Sequence, residues 1–238
     1  MNKQIQRIFV CGPVGVGKST FIDNLVNKFT NRNVKTVPEY ITGDPNGNQM
    51  FLNFINKKIT AKHFQTYILD YYDKKIKEVF DTCNEADVVI FERLPGEAVA
   101  MFARRLWRKR QMTHEDYNEL KEQLSEIEVK YNLPSIYNET WNMDDYEFVT
   151  LKTLDDIDLT EPIALLANTI PNHDVVVGLT NCPPTCWKRI KKRNRNGEDA
   201  YDYKTISEFC NRYDKIFSKL TSMCDENDYS SDYGDYDW

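Results

Sequence analysis

Short, continuous apolar runs recur along the chain, and each is followed by a longer segment in which apolar residues have helical spacing. Runs of this length, without polar alternation, are typical of strands buried on both faces of a parallel sheet. Four segments predict strands: IQRIFVC (5–11), NVKTVPE (33–39), ADVVIFE (86–92) and HDVVVGLTN (173–181). Strands that alternate with helices predict a three-layer α/β fold, with a central, mostly parallel sheet of four to five strands.

Apolar residues spaced three and four positions apart predict the helices. The first extends from the loop after the first strand to about Thr30, and the others cover about 50–83, 97–110, 114–131, 184–196 and 203–222. The helix at residue 114 opens with THED, a pattern that caps a helix N-terminus. The polar link TGDPNGNQ (42–49) and the segment 132–155 predict no regular element.

Length and composition are those of a globular protein. The 238 residues suit one sizeable domain, with 41% hydrophobic and 29% charged residues. No apolar run reaches the roughly 18 residues of a membrane span, and the start MNKQIQRIFV lacks the apolar core of a secretory signal. The six cysteines include no CxxC pair, which favours reduced thiols over a metal site. We therefore expect a cytoplasmic protein without a membrane partner.

The formal net charge of −6 is concentrated at the C-terminus. DENDYSSDYGDYDW (225–238) contains six acidic residues and no basic one, so the rest of the chain has no net charge. We expect a folded domain over residues 1–223 and a disordered acidic tail over 224–238. A neutral body without an interleaved basic and aromatic face argues against nucleic-acid binding.

The loop between the first strand and the first helix, CGPVGVGKST (11–20), fits the pattern G-x-x-x-x-G-K-[ST]. Three residues without a Cβ leave room for backbone N–H groups to surround a phosphate: Gly12, Gly15 and Gly17. Lys18 reaches the β- and γ-phosphates, Ser19 offers its hydroxyl to Mg²⁺, and Thr20 completes the segment. The loop predicts a nucleoside triphosphate, ATP, bound with Mg²⁺.

Charged residues end the second and third strands, where structural positions are normally apolar. Glu39 closes the second strand, and Glu92 and Arg93 close the third. Ligands of a parallel sheet bind beyond the carboxyl ends of its strands, so these side chains are expected to meet Lys18 in one crevice. The NKxD sequence of GTPases and a Walker B aspartate after the third strand are both absent.

A strongly basic segment, WKRIKKRNRNGED (187–199), follows the fourth predicted strand. Six of the eight residues from Lys188 to Arg195 are cationic. In a protein with a phosphate-binding loop we interpret this segment as a lid whose arginines neutralise charge during phosphoryl transfer. For a second basic cluster, Arg104 to Arg110, a solvated face and a phosphate rim both stay open.

The segments CGPVGVGKST, VPEY, KHFQTY, VVIFER and RIKKRNRNGE occur in the order found in deoxynucleoside kinases, including herpesvirus-type thymidine kinases. The chain resembles this family over about residues 5–105 and 174–215. The resemblance implies a three-layer P-loop kinase fold with an Arg-rich lid at about 187–199, ATP and Mg²⁺ as cofactors, and a deoxynucleoside substrate. It also implies a homodimer, and its viral members act in the cytoplasm of a host cell.

The resemblance implies roles for residues near the transferred phosphate. Glu39 matches the carboxylate that accepts the proton of the sugar 5′-hydroxyl. Glu92 matches the acid that helps Ser19 hold Mg²⁺, and Arg93 matches the arginine that orients the base and the phosphate. The lid arginines with matching positions are Arg189, which contacts ATP, and the catalytic Arg193 and Arg195.

The substrate residues are implied in the same way. Gln65 matches the amide that bonds the base edge, since an amide donates and accepts at once. Glu198 matches the acid that reaches the sugar 3′-hydroxyl in viral members. Three aromatic side chains complete the predicted substrate site: Phe54, Tyr67 and Phe102.

Several positions depart from the family pattern. Tyr40, Asp44, Phe54 and Leu94 replace a proline, a tryptophan, a tyrosine and a serine or histidine, respectively. Ala98 and Val99 replace an Asp-Arg pair, and Tyr72 replaces an arginine that favours purines and cytosine. Gln65 alone remains of the base-reading set, beside Ile68 and Phe102, which resembles thymidine-preferring sites.

Two alternatives to a thymidine kinase stay open: a nucleoside monophosphate kinase, which needs further arginines for the acceptor phosphate, and a nucleotide-binding relative without turnover. We also expect the usual last strand of the sheet to be missing, because the chain turns acidic after Leu220.

Overall fold

A five-stranded parallel sheet forms the centre of the computed structural model, which describes residues 5–83, 87–135, 137, 146–153, 160–169 and 174–230, with the backbone alone for 169 and 223–230. The strand order is β2-β3-β1-β5-β4. The strands are β1 (Gln6–Cys11), β2 (Val34–Val37), β3 (Val88–Glu92), β4 (Tyr146–Lys152) and β5 (Asp174–Thr180). In register, Phe9 of β1 lies between Phe91 of β3 and Val176 of β5.

Helices cover both faces of this sheet. They are α1 (Lys18–Val26), α2 (Tyr40–Gly43), α3 (Gly47–Ile55), α4 (Ala61–Asp81), α5 (Pro95–Glu97), a π-helical segment (Ala98–Ala103), α6 (Arg104–Arg108), α7 (His114–Tyr131), α8 (Thr160–Thr169), α9 (Pro183–Arg193), a 3₁₀ segment (Glu198–Ala200) and α10 (Tyr203–Ser230). None of the helices described is both long and apolar enough to cross a membrane.

Alternate strand residues point to opposite faces of the sheet and build two cores. Phe9, Phe91 and Val176 belong to the core under α4, α7 and the π-helical segment. Val10 and Val177, one position further along their strands, belong to the core under α1, α8 and α9. The layers follow from this alternation, because a sheet buried on both faces needs apolar residues at every strand position. The predicted three-layer α/β fold is confirmed.

All four predicted strands form, although β2 ends at Val37, two residues before Glu39. The single helix predicted over 50–83 is wrong, because the chain forms α3 and α4 with a turn between them. Lys57 has a φ of +56° in this turn. Thr60 then caps α4, since its hydroxyl oxygen accepts a hydrogen bond from the backbone N–H of His63 at 3.1 Å.

Besides the short helix α2, two longer elements have no counterpart in the sequence prediction. β4 lies within 132–155, for which no element was predicted, and α8 follows it. The edge position beside β5 is therefore filled by a strand that precedes β5 in the chain. Helix α10 continues past the predicted end at residue 222 to Ser230. The boundary between a domain (1–223) and an acidic tail (224–238) stays a prediction, since 231–238 lie outside the described residues.

The carboxyl of Glu128 is buried near the C-terminal end of α7. The hydroxyl of Ser135 donates a hydrogen bond to its Oε2 at 2.7 Å. Burial raises the pKa of Glu128 to about 7. The folded protein therefore binds this proton more tightly than the unfolded chain does, and the associated stability is lost as the pH rises from 4.5 through 7.

Glu128→Gln is expected to increase the free energy of unfolding by about 1–3 kcal/mol at pH 8 and by less than about 1 kcal/mol at pH 5. The reason is that glutamine resembles the protonated acid at every pH. Urea unfolding of both proteins at the two pH values measures the difference. Glu126→Gln, at an exposed position on the same helix, is the matched control. An equal gain at both pH values would contradict the assignment.

Candidate active site

A cavity of about 680 Å³ lies at the carboxyl end of the sheet. The loop after β1, the residues after β2 and β3, helix α4 and the basic segment 187–199 all contribute to its lining. Its charged lining residues are Lys18, Glu39, Glu92, Arg93, Arg189, Arg193, Arg195 and Glu198. The residues predicted to meet in one crevice therefore do so.

Two glycines of the loop after β1 are required by close backbone packing. A Cβ on Gly12, which has a φ of +148°, would lie 2.5 Å from the carbonyl oxygen of Leu179 in β5. A Cβ on Gly15, which has a φ of +81°, would lie 2.5 Å from the carbonyl oxygen of Cys186 in α9. The loop is thus pressed against β5 and α9 in a conformation that L-residues rarely adopt.

Lys18 begins α1, and its ammonium group lies under the loop. Its Nζ donates to the carbonyl oxygens of Gly12 at 3.2 Å and Pro13 at 3.3 Å. Burial, followed by the positive charge of Arg93, lowers the pKa of Lys18 from 10.5 to about 8. A nucleotide phosphate beside this amine would favour its charged form.

Ser19 and Glu92 supply two adjacent oxygens at the mouth of the loop. The Ser19 hydroxyl donates to Oε1 of Glu92 at 2.8 Å. A hydroxyl and a carboxylate fit Mg²⁺, which usually takes one or two protein ligands and completes its shell with phosphate oxygens and water. In the described part of the chain, no cluster of three or more His, Cys, Asp or Glu side chains offers a metal site made of protein ligands alone.

Glu39 and Arg93 form a partly buried ion pair just past the ends of β2 and β3. Nε of Arg93 donates to Oε1 of Glu39 at 3.0 Å. Burial by itself raises the pKa of Glu39, but the charges of Arg93, Lys18 and Arg195 outweigh it and hold the pKa below the usual value. The carboxylate is therefore ionised at neutral pH and can accept a proton.

The basic segment 187–199 places its arginines over the cavity. Nη1 of Arg189 donates to the carbonyl oxygen of Val16 at 2.6 Å. Nε of Arg193 donates to Oε2 of Glu198 at 3.1 Å, and Nη1 of Arg195 lies 3.7 Å from Oε1 of the same carboxylate. Glu198, predicted to reach the substrate sugar, is thus engaged with two of the predicted lid arginines.

The opposite end of the cavity is mostly apolar. Phe64, Ile68 and Phe102 line it together with Gln65. The Gln65 side chain is 2% exposed, and its Oε1 has no hydrogen-bond partner among the described residues. An unsatisfied buried acceptor costs about 1–3 kcal/mol. This oxygen is the group in the described cavity wall that most clearly lacks a donor.

Two predicted substrate residues lie behind the cavity wall. Phe54 stacks on Phe64, with ring centroids 4.7 Å apart, and is not part of the lining. Tyr67 packs edge-on against Tyr40, with ring centroids 6.3 Å apart, and is also outside the lining. The direct substrate contacts predicted for Phe54 and Tyr67 are therefore corrected to a supporting position.

Of the other predicted site residues, some line the cavity and some do not. Thr20 and Phe102 line it. Gly12 is not part of the lining, and its carbonyl oxygen accepts a hydrogen bond from Lys18. The second basic cluster, Arg104 to Arg110, does not line the cavity. Nε of Arg105 instead donates to Oε2 of Glu208 in α10 at 3.1 Å, so the phosphate-rim interpretation of that cluster is not supported.

Sequence reasoning missed several lining or adjoining residues. Thr153 and Thr160 line the cavity from the parts of the chain in which β4 and α8 were not predicted. Tyr201 lines it from just after the basic segment. Glu97 contacts Arg93 from one helical turn further on, and this spacing of four residues was the available signal.

A P-loop kinase is the class that this fold and site define. The sequence model described as deoxynucleoside kinase matches residues 8–140, more than half of the chain. The chain therefore belongs to the deoxynucleoside kinase family and is an ATP-dependent kinase of deoxynucleosides.

A solved structure of deoxyadenosine kinase from M. mycoides with bound dATP is similar to the chain, with a TM-score of 0.56 and 16% sequence identity. The match covers 91% of this chain and 86% of that one. At this identity the likeness shows the shared fold. No curated protein matches the sequence.

ATP binding at pH 8.5 is expected to take up about 0.5–0.8 proton per nucleotide, because the phosphates raise the pKa of Lys18 from about 8. Titration calorimetry in two buffers with different ionisation enthalpies measures this uptake. Lys18→Met, which has no titratable group at this position, should bind ATP more weakly and without the uptake. Equal proton uptake by both proteins would contradict the assignment.

Proposed function

We propose that this protein transfers the γ-phosphate of ATP, with Mg²⁺, to the 5′-hydroxyl of thymidine. The observation that carries the proposal is that the carboxylate of Glu39 shares one cavity with Lys18 and Arg93. A base, a phosphate-binding ammonium group and a guanidinium are the groups that phosphoryl transfer to a hydroxyl requires.

The chemistry assigned to these residues is a single displacement. Glu39 accepts the proton as the 5′-oxygen bonds to the γ-phosphorus, and the bond to the bridging oxygen breaks to release ADP. Lys18 and Arg93 stabilise charge on the transferred group, and the lid arginines Arg193 and Arg195 add positive charge from above. Ser19 and Glu92 would hold Mg²⁺, whose charge offsets that of the phosphates.

Thymidine is proposed from the mostly apolar end of the cavity. The unpartnered Gln65 Oε1 suits the N3–H of thymine, and the same amide donates to a base carbonyl. Tyr72, where an arginine would favour purines and cytosine, donates its hydroxyl to the Glu92 carbonyl oxygen at 3.1 Å and is buried. The neighbouring side chains of Ile68 and Phe102 have no polar group that could form a hydrogen bond with the nucleobase.

A nucleoside monophosphate kinase is the nearest alternative. Within the described lining, every cation belongs to the P-loop, to the end of β3 or to the basic segment 187–199. A second phosphate on the acceptor would need further arginines, and Arg105 is directed at Glu208 instead. This distribution favours an unphosphorylated acceptor.

A nucleotide-binding relative without turnover is less well supported. Glu39, Glu92 and Arg93 are all retained, and Leu94, one of the departures from the family pattern, is buried in the core. Homodimerisation and a cytoplasmic location, both implied by the family or by composition, stay predictions.

Glu39→Gln is expected to lower kcat by about 10²–10⁴-fold, because the amide cannot accept the proton of the 5′-hydroxyl. ATP binding is retained, since Lys18 and the loop backbone are unchanged. Steady-state assays with labelled ATP measure kcat, and calorimetry measures ATP affinity. Glu122→Gln, at an exposed position on α7, is the control. Turnover that survives in Glu39→Gln would remove Glu39 as the base.

A panel of thymidine, deoxycytidine, deoxyadenosine, deoxyguanosine and thymidine monophosphate tests the substrate. Thymidine should have the highest kcat/KM. Gln65→Leu should lower that value by about 10²–10³-fold, because the base edge loses both hydrogen bonds. A higher kcat/KM for deoxyadenosine would overturn the base preference, and a higher value for the monophosphate would favour the alternative enzyme.

A further inference from the structure

Arg93 is held in an unusual backbone conformation at the end of β3. Its φ is +75°, in the left-handed region that a residue with a long side chain rarely adopts. Such a conformation costs on the order of 1–3 kcal/mol and persists only where the surroundings enforce it. The side chain is buried, so its surroundings are those of the protein interior.

Three groups surround one end of the Arg93 guanidinium. Nη1 donates to the carbonyl oxygen of Gly12 at 2.9 Å and to the hydroxyl of Tyr213 at 3.0 Å, and it forms an ion pair with Oε2 of Glu97. The Tyr213 hydroxyl in turn donates to Oε2 of Glu97. Oε1 of Glu97 accepts from the backbone N–H of Leu94 at 3.4 Å.

We propose that Glu97 and Tyr213 are positioning residues, which hold Arg93 in the orientation that phosphoryl transfer requires. This inference rests on the proposed function, in which Arg93 and Glu39 act on the substrate. Both residues are buried, and neither is part of the cavity lining, so they act through Arg93.

The division of contacts on the guanidinium supports this role. Glu97, Tyr213 and the loop carbonyl use Nη1, and Glu39 uses Nε. The ring of Phe102 lies beside the guanidinium, 5.4 Å from its central carbon. In the described part of the chain, the contacts to Arg93 leave Nη2 as the nitrogen that can turn to a substrate oxygen.

Glu97 also balances the charge of Arg93 during the reaction. When Glu39 takes up the proton of the 5′-hydroxyl, it no longer neutralises Arg93. A buried guanidinium without a partner is costly, and Glu97 supplies a second carboxylate beside it that takes no part in the proton transfer. Tyr213 fixes that carboxylate through its hydroxyl, across 116 residues of sequence.

The first test compares Glu97→Gln and Tyr213→Phe in the full chain. We expect kcat for thymidine to fall by about 10–100-fold in the first variant and about 5–20-fold in the second, with ATP affinity within about twofold of wild type. The double variant should lose little more than Glu97→Gln alone, because both changes release the same guanidinium. Glu208→Gln, which removes an ion pair between the same helix, α10, and Arg105, should leave kcat nearly unchanged.

A second measurement does not depend on turnover. In protein labelled with ¹⁵N-arginine, the Nε–H resonance of Arg93 is assigned by its absence in Arg93→Lys. Its exchange with water should be slow in wild type and at least about tenfold faster in Glu97→Gln and Tyr213→Phe, and unchanged in Glu208→Gln.

The outcomes separate the two hypotheses. A wild-type protein that binds ATP but has no kinase activity would refute the proposed function, while the exchange measurement would still report on Arg93. Unchanged exchange and unchanged kcat in both variants would overturn the positioning role. If Glu97→Gln does not fold, the results for Tyr213→Phe alone test the positioning role, because this milder substitution removes a single oxygen atom.

Discussion

The buried guanidinium of Arg93 is the group on which the organisation of the site depends. It joins the end of β3 to the P-loop through the Gly12 carbonyl and to the end of β2 through Glu39. The backbone N–H of Arg93 also donates to the carbonyl oxygen of Val10 in β1 at 3.1 Å. The parallel register of β1 and β3 thereby fixes the position of Arg93 relative to the phosphate-binding loop, and Arg93 in turn holds the proposed base, Glu39.

Charge pairing around this guanidinium explains how so many ionised groups share one cavity. Lys18 and Arg93 repel each other, and the carboxylates of Glu39, Glu92 and Glu97 offset that repulsion. At the cavity rim, Glu198 does the same for Arg193. Each cation near the proposed phosphate path therefore has an oxygen partner in the protein itself, which limits the cost of collecting positive charge in a buried place.

Much of this arrangement could be predicted from local sequence. The P-loop pattern and the charged ends of two apolar runs are enough to locate Lys18, Glu39 and Arg93. β4 escaped prediction because it is an edge strand, in which the buried Tyr146 and Phe148 alternate with exposed positions. The contact of Tyr213 with Arg93 spans 120 residues, and no local pattern carries such information.

Helical phase explains a further difference. On α4, residues 64, 65 and 68 fall within about 100° of the helix circumference and line the cavity. Tyr67 lies outside that arc by about 60°, so it packs behind the wall even though it belongs to the same short motif. Sequence motifs mark a helix as important, but only its rotation against the sheet selects the side chains that reach a ligand.

In the proposed function, one amide at the apolar end of the cavity determines specificity. Gln65 keeps an acceptor without a partner among the described residues inside a mostly apolar wall, and this costs stability in the free protein. A base with an N–H at the matching position recovers that cost, whereas a base that presents an acceptor there adds repulsion to it. Discrimination between nucleobases then comes mainly from the hydrogen-bonding groups that a non-matching base leaves unpaired. This penalty is larger in a buried site than in a solvated one. The scarcity of other polar groups near Gln65 is thus itself a source of selectivity.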